Sequence, residues 1–220
     1  MALLVGACST QPKAPLPTQA ASAPGPPRHI GRPYDVDTRQ SALSILVYRG
    51  GPLASAGHNH VVALHELSGT VYVNAELTHS SCALHVPVGA FTVDEPQLRQ
   101  AAGADFAAAV PDSAREGTRR NLLSPAVLDA EAHPAIDLEC LAFATDSAGL
   151  RVQLEIAIRG QLHQVWVPLH YELKDQQLSA DGELALRQSE LGLTPFSVML
   201  GALQVQDQLT IRFRLVARAT

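Results

Sequence analysis

The run Ala56-Gly57-His58-Asn59-His60 sets two imidazoles two residues apart. On a strand, residues at that spacing point to one face, so His58 and His60 present their nitrogens to a common ligand. Three roles fit the pair: a metal clamp, a hydrogen-bonding pair for the head group of a lipid or quinone, or a structural pair at the start of a strand. A transition metal commonly takes three or four ligands. His65, His85, His133, His163 and Glu66 are further donors along the chain, and His65 has the opposite strand parity to both members of the pair. A second polar cluster comprises Asp94, Arg99, Arg119, Arg120 and Asn121. It suits an anionic head group at the mouth or lid of a pocket. Its alternative is an Asp94–Arg99 pair across a loop with the other arginines solvated.

The three cysteines separate by position. Cys82 and Cys140 hold apolar-parity positions on two strands that could become neighbours, where they either behave as small buried hydrophobes or, in an oxidising compartment, bridge. Cys8 closes the run Val5-Gly6-Ala7-Cys8, which resembles a bacterial lipobox, an aliphatic residue and two small residues before the cysteine that is cut and acylated. Residues 1–8 thus read as a truncated lipoprotein signal, short and without a preceding Lys or Arg, with lipidation expected at Cys8. Residues 9–33, with Ala23-Pro24-Gly25-Pro26-Pro27, are too poor in apolar residues to fold and read as a disordered Pro/Ala-rich linker. Gly-X-Ser-X-Gly, Cys-X-X-Cys, His-Glu-X-X-His and a phosphate loop are all missing, so no catalytic residue is assigned.

These residues need elements to hold them, and from Tyr34 onward the dominant pattern is period two. Leu43, Ile45 and Val47 alternate with Ser44, Leu46 and Tyr48; Val71, Val73, Ala75 and Leu77 follow Gly69, and then come Cys82, Leu84, Val86 and Val88. The second half alternates more cleanly. Val152 to Ile158, Val165 to Leu173, and Leu209 to Leu215 each place aliphatics at every second position, and Lys174-Asp175-Gln176-Gln177 reads as the turn of a hairpin. Trp166 falls out of step with Val165 and Val167, on either a pocket wall or the outer face. Alternation lapses around residues 96–130, where two or three short helices are expected, one of them beginning at Ser124-Pro125. Many short strands with one helical insertion indicate an all-β, mainly antiparallel barrel or sandwich.

With 220 residues, 46% apolar and 17% charged, the chain suffices for one core plus a tail, which places a single domain at residues 34–220. A net charge of -5 and a pI near 6.0 exclude a protein that lives on nucleic acid phosphates. No stretch approaches the roughly 20 apolar residues of a spanning helix.

The ordered set of landmarks resembles the YceI-like family over residues 34–217. It comprises Tyr34-Asp35-Val36-Asp37, Ser68-Gly69-Thr70-Val71, Arg120-Asn121-Leu122-Leu123, His133-Pro134-Ala135-Ile136, Ile158-Arg159-Gly160-Gln161-Leu162, Leu191-Gly192-Leu193-Thr194-Pro195-Phe196 and Leu203-Gln204-Val205-Gln206-Asp207. Gly57-His58-Asn59-His60 marks it as a variant branch. The resemblance implies a lipocalin-like up-and-down β-barrel of about eight strands enclosing a long pocket, in which a polyisoprenoid or similar lipid is held in the periplasm. The expected protein is a non-catalytic, periplasm-facing lipoprotein that binds a polyisoprenoid, quinone or fatty-acyl lipid. Its membrane partner is reached through acylated Cys8, in the outer membrane, and a homodimer is compatible with this reading. No cofactor is expected beyond the bound lipid. His58, His60, Asp94, Arg99, Arg120 and Asn121 are the candidate ligand contacts. A metal- or haem-handling protein using His58 and His60, or an envelope-complex scaffold, are the alternatives.

Overall fold

The structure is a computed structural model and describes residues 29–147 and 149–220. The expected lipidation site Cys8 and most of the expected linker lie outside the described residues. Eight strands form the wall. Three of them are each interrupted once: β1 (Arg32–Val36 and Ala42–Val47), β2 (His60–Leu64 and Ser68–Val73) and β3 (Ser81–Pro87 and Thr92–Val93). The others are continuous: β4 (Ala135–Asp146), β5 (Gly149–Ile158), β6 (Gln161–Lys174), β7 (Gln177–Arg187) and β8 (Gln208–Ala219). Each pairs antiparallel with its successor, and β8 returns to both halves of β1, with Tyr34 opposite Ala219 and Ile45 opposite Ile211. Sequence neighbours are therefore sheet neighbours all the way round, with the ladder left open only where Thr92–Val93 lacks a second partner strand and where β6 and β7 part beyond His170–Asp181.

Strand pairing starts at Arg32, inside the segment expected to be a linker. There the His29 ring stacks on Tyr72, centroids 4.3 Å apart, and bonds Ser81 at 3.0 Å. Residues 29–33 therefore belong with the barrel, because β2 and β3 offer this stretch backbone and ring partners. Tight turns do the reversals. Asp175 and Gln176 both have positive φ, as do Arg159 and Gly160, the geometry that matches the twist of a two-residue hairpin. Ala75 and Leu77, counted with the alternating run, lie beyond the end of β2, and Leu77 opens a short 3-10 turn.

Between β3 and β4 sit α1 (Pro96–Ala102) and α2 (Asp112–Leu123). Pro96 opens α1 and Gly103 at φ 99° ends it, while α2 carries Asp112 in its first turn and Arg120 in its last, as the helix dipole favours. No helix begins at Ser124. Its hydroxyl donates to the Asn121 carbonyl at 2.6 Å, and its backbone N–H bonds the same oxygen, so it closes α2 instead of opening a third helix.

A small sheet of Arg49–Gly50, Ser197–Val198 and Leu203–Val205 stands at the end of the barrel where β2 begins. Gly51, at φ 86°, lets this chain press on its neighbour, since a Cβ there would lie 2.6 Å from the Ala202 oxygen. Cys82 and Cys140 are joined by a disulfide between β3 and β4, so the alternative of two unpaired thiols does not hold.

Candidate functional site

Inward-facing residues do not meet at the centre of the barrel. They surround a cavity of about 660 Å3 that runs along its interior, within the ~300–1,000 Å3 span of small-molecule sites. The alternation seen in sequence builds its wall: Val152, Leu154, Ile156 and Ile158 from β5, with Val165, Val167, Leu169, Tyr171 and Leu173 from β6. The disulfide is part of the same wall. Trp166, one step out of phase, faces outward and takes the Arg151 guanidinium over its ring at 5.4 Å.

Polar groups gather at the end capped by α2. His58, His60, Thr118 and Asn121 line the cavity there, joined by Arg49 and Gln204 from the small sheet. His58 and His60 share the cavity as their spacing implies, although β2 starts only at His60 and His58 precedes it. Their rings meet edge to face with centroids 6.1 Å apart.

His60 is already committed on both sides. Its Nδ1 lies 2.6 Å from Asp94 Oδ2, and its Nε2 lies 3.2 Å from the Thr118 hydroxyl. A carboxylate only accepts, so Nδ1 carries the proton that His60 donates to Asp94, and Nε2 is left bonded to the Thr118 hydroxyl. Among the described residues no group of three or more His, Cys, Asp or Glu is placed to hold a metal ion. His65 instead reaches Glu95, and His85 reaches Asp137 on the outside. By contrast, the His58 ring and the Asn121 side chain have no hydrogen-bond partner among the described residues, which leaves both available to a guest.

Asp94 and Arg99 lie behind this face, outside the cavity lining. Asp94 is buried with a positive φ of 58° and accepts from His60, from the Val61 N–H at 2.9 Å and from Arg99 Nη1 at 2.6 Å. Burial alone would raise its pKa, but these donors together hold its carboxyl below the usual aspartate range. Arg99 gives three further N–H groups to the carbonyls of Asn59, Phe106 and Ala108. The expected ligand contacts at Asp94 and Arg99 are therefore supports: they fix the orientation of His60 and tie α1 to β2. Arg120 is not a lining residue either; it points outward beside Glu116 at 3.9 Å. Arg119 donates to the Phe91 and Gly89 carbonyls. Of the polar cluster only Asn121 reaches the cavity.

Thr118, Arg49 and Gln204 were missed in the sequence. Ala114, Thr118, Asn121 and Leu122 recur at helical spacing and form the face that α2 turns to the cavity, a periodicity that was there to be read. Arg49 and Gln204 belong to strands of two and three residues, too short to leave a pattern.

The sequence profile of the YceI-like domain matches residues 34–217. No curated protein matches the chain. Among solved structures, BcnA of Burkholderia cenocepacia superposes with a TM-score of 0.61 at 19% identity, covering 83% of this chain and 99% of that one. A polyisoprenoid binding domain from Saccharophagus degradans, described as implicated in plant cell wall breakdown, gives 0.56 at 11% identity, covering 85% and 98%. The Campylobacter jejuni YceI protein gives 0.51 at 7% identity, covering 72% and 84%. At these identities the likeness is one of fold.

Proposed function

Because the chain belongs to the family of YceI-like domains, we propose that it is a non-catalytic carrier that shelters a long apolar lipid, of polyisoprenoid, quinone or fatty-acyl type, inside its barrel. The observation that carries this reading is the cavity itself, about 660 Å3 walled by aliphatic side chains, with unpaired His58 and Asn121 at one end. Each methylene moved from water into it contributes about 0.8 kcal/mol, so chain length supplies affinity and the polar end supplies orientation. The head group it fits is uncharged. Arg49 is the one Asp, Glu, Lys or Arg among the lining residues, and its Nη1 is held by the Gly57 carbonyl at 2.8 Å.

The setting we infer is the periplasmic side of a membrane, with Cys8 acylated as anchor. The Val5-Gly6-Ala7-Cys8 run supports the anchor, and the Cys82–Cys140 disulfide fits an oxidising compartment. A metal ion would have to displace a partner of His60, whose ring nitrogens are both engaged.

Organic extraction of the purified full chain followed by mass spectrometry tests the reading. One class of long-chain lipid in near-stoichiometric amount is expected, and the delipidated protein should regain thermal stability when a long-chain probe is added. A preparation that yields no lipid and takes up no long-chain probe would overturn it.

A further inference from the structure

The hairpin that carries Ser197–Val198 and Leu203–Val205 ends in a turn that exposes its largest apolar side chains. Met199 is 69% and Leu200 fully (109%) solvent-exposed, with Val198 and Leu53 exposed beside them. The turn is held in an unfavourable backbone state. Met199 and Leu200 have φ of 52° and 57°, consecutive left-handed conformations that L-residues with branched or long side chains rarely adopt. Gly201 follows at φ 86°, and the Leu53 N–H bonds the Ala202 oxygen at 2.8 Å, tying a second loop to the turn. Strain that keeps apolar side chains in water points to a function for them.

Two further observations say what the tip meets. Residues 50–64 and 191–206, on this side of the rim, contain no Asp, Glu, Lys or Arg, in a chain that is 17% charged, and the charged residues that flank them, Arg49, Glu190 and Asp207, bond the Gly57 carbonyl, the Arg187 N–H and the Ser189 hydroxyl. The turns at the opposite end of the barrel carry Glu76, Lys174 and Asp175. The apolar path is also continuous with the cavity, because Val198 and Leu203 belong to the hairpin and line the cavity too. A convex, uncharged tip at the mouth of an apolar channel fits a fluid lipid phase, which yields to a protruding side chain.

We propose that the Val198–Gly201 tip, with Leu53 beside it, is a bilayer-docking element that seats the mouth of the cavity on a lipid surface so that cargo passes without crossing water. The inference rests on the lipid-carrier reading for the nature of the cargo.

Flotation of the full-length chain with neutral phosphatidylcholine vesicles tests it, with Cys8→Ser introduced so that no acyl chain contributes. Met199→Asn with Leu200→Asn removes the apolar tip while keeping residues that accept the left-handed conformation. Leu162→Asn, on the outer wall and 65% exposed, is the control. The parent and the control should float with vesicles, and the tip variant should lose at least about tenfold in partitioning and transfer a long-chain probe from vesicles correspondingly more slowly. Equal flotation of tip variant and parent, no flotation of the parent, or self-association lost with the tip in place of vesicle binding would each overturn the proposal. Lipid extraction from the same variant separates the two readings: a variant that keeps its lipid yet floats like the parent refutes the docking element alone. Tip-dependent flotation of a barrel that never holds lipid refutes the carrier alone.

Discussion

Asp94 is the residue on which the polar end depends. It accepts from a cationic side chain, an imidazole and a backbone N–H, and removing it strands the Arg99 guanidinium in a buried site. Asp94→Ala should therefore cost about 3–5 kcal/mol in urea unfolding at neutral pH. Asp94→Asn, which keeps an acceptor and tolerates the positive φ, should cost clearly less. The folded pKa lies below 3.8, so the charge contribution is complete above about pH 4 and disappears as the pH falls through the folded value. The gap between parent and Asp94→Asn should shrink in that acid range. The histidine doublet was legible as a shared-face pair. The roles of Asp94 and Arg99 were not, because spacing places residues near one another without saying which side of a wall they occupy. Burial decided that: Asp94 lies inside the wall with three donors on its carboxylate and does not line the cavity.

Among the elements, β5, β6 and β8 were legible because each strand buries one face on the cavity and wets the other, which writes period two into the sequence, and β7 through the hairpin turn that precedes it. The breaks in β1, β2 and β3 were harder to see. At the first, Ser41 stands where a ladder pair is missing, its hydroxyl donating to the Val216 oxygen at 3.2 Å and accepting from the Val216 N–H at 3.0 Å. A serine doing the work of a backbone has no pattern to betray it. The disulfide is likewise a property of register, since Ala83 pairs with Glu139 and brings the preceding Cys82 against Cys140. It closes a loop spanning 58 positions that contains both helices. Replacing both cysteines by Ala should lower stability by about 2–4 kcal/mol, chiefly by freeing the unfolded chain, as urea unfolding would measure. The helical insertion should then dock less firmly while the wall of β5 to β8 is retained.

For the molecule as a whole, alternation and turn signals were sufficient to call for a β-barrel or sandwich, and closure followed from β8 pairing with β1. What no sequence pattern distinguishes is a barrel filled with side chains from one left hollow, because both require the same inward aliphatics. The three strand breaks lie side by side: residues 37–41 of β1 face 65–67 of β2, which face 88–91 of β3. The backbone ladder thus has a seam across three adjacent strands, while β7 and β8 are bonded without interruption from Gln177–Arg218 to Arg187–Gln208 and β5 with β6 from Ile158–Gln161 to Leu150–Leu169; β6 and β7 are bonded only from His170–Asp181 to Lys174–Gln177. Local opening costs least where ladder bonds are fewest, so amide hydrogens flanking the seam should exchange faster than those in the middle of β7 and β8, which mass-resolved hydrogen exchange would register. The wall is on this account uneven around its circumference, most compliant along the seam and beyond the His170–Asp181 pair where β6 parts from β7, and stiffest along the β7–β8 ladder.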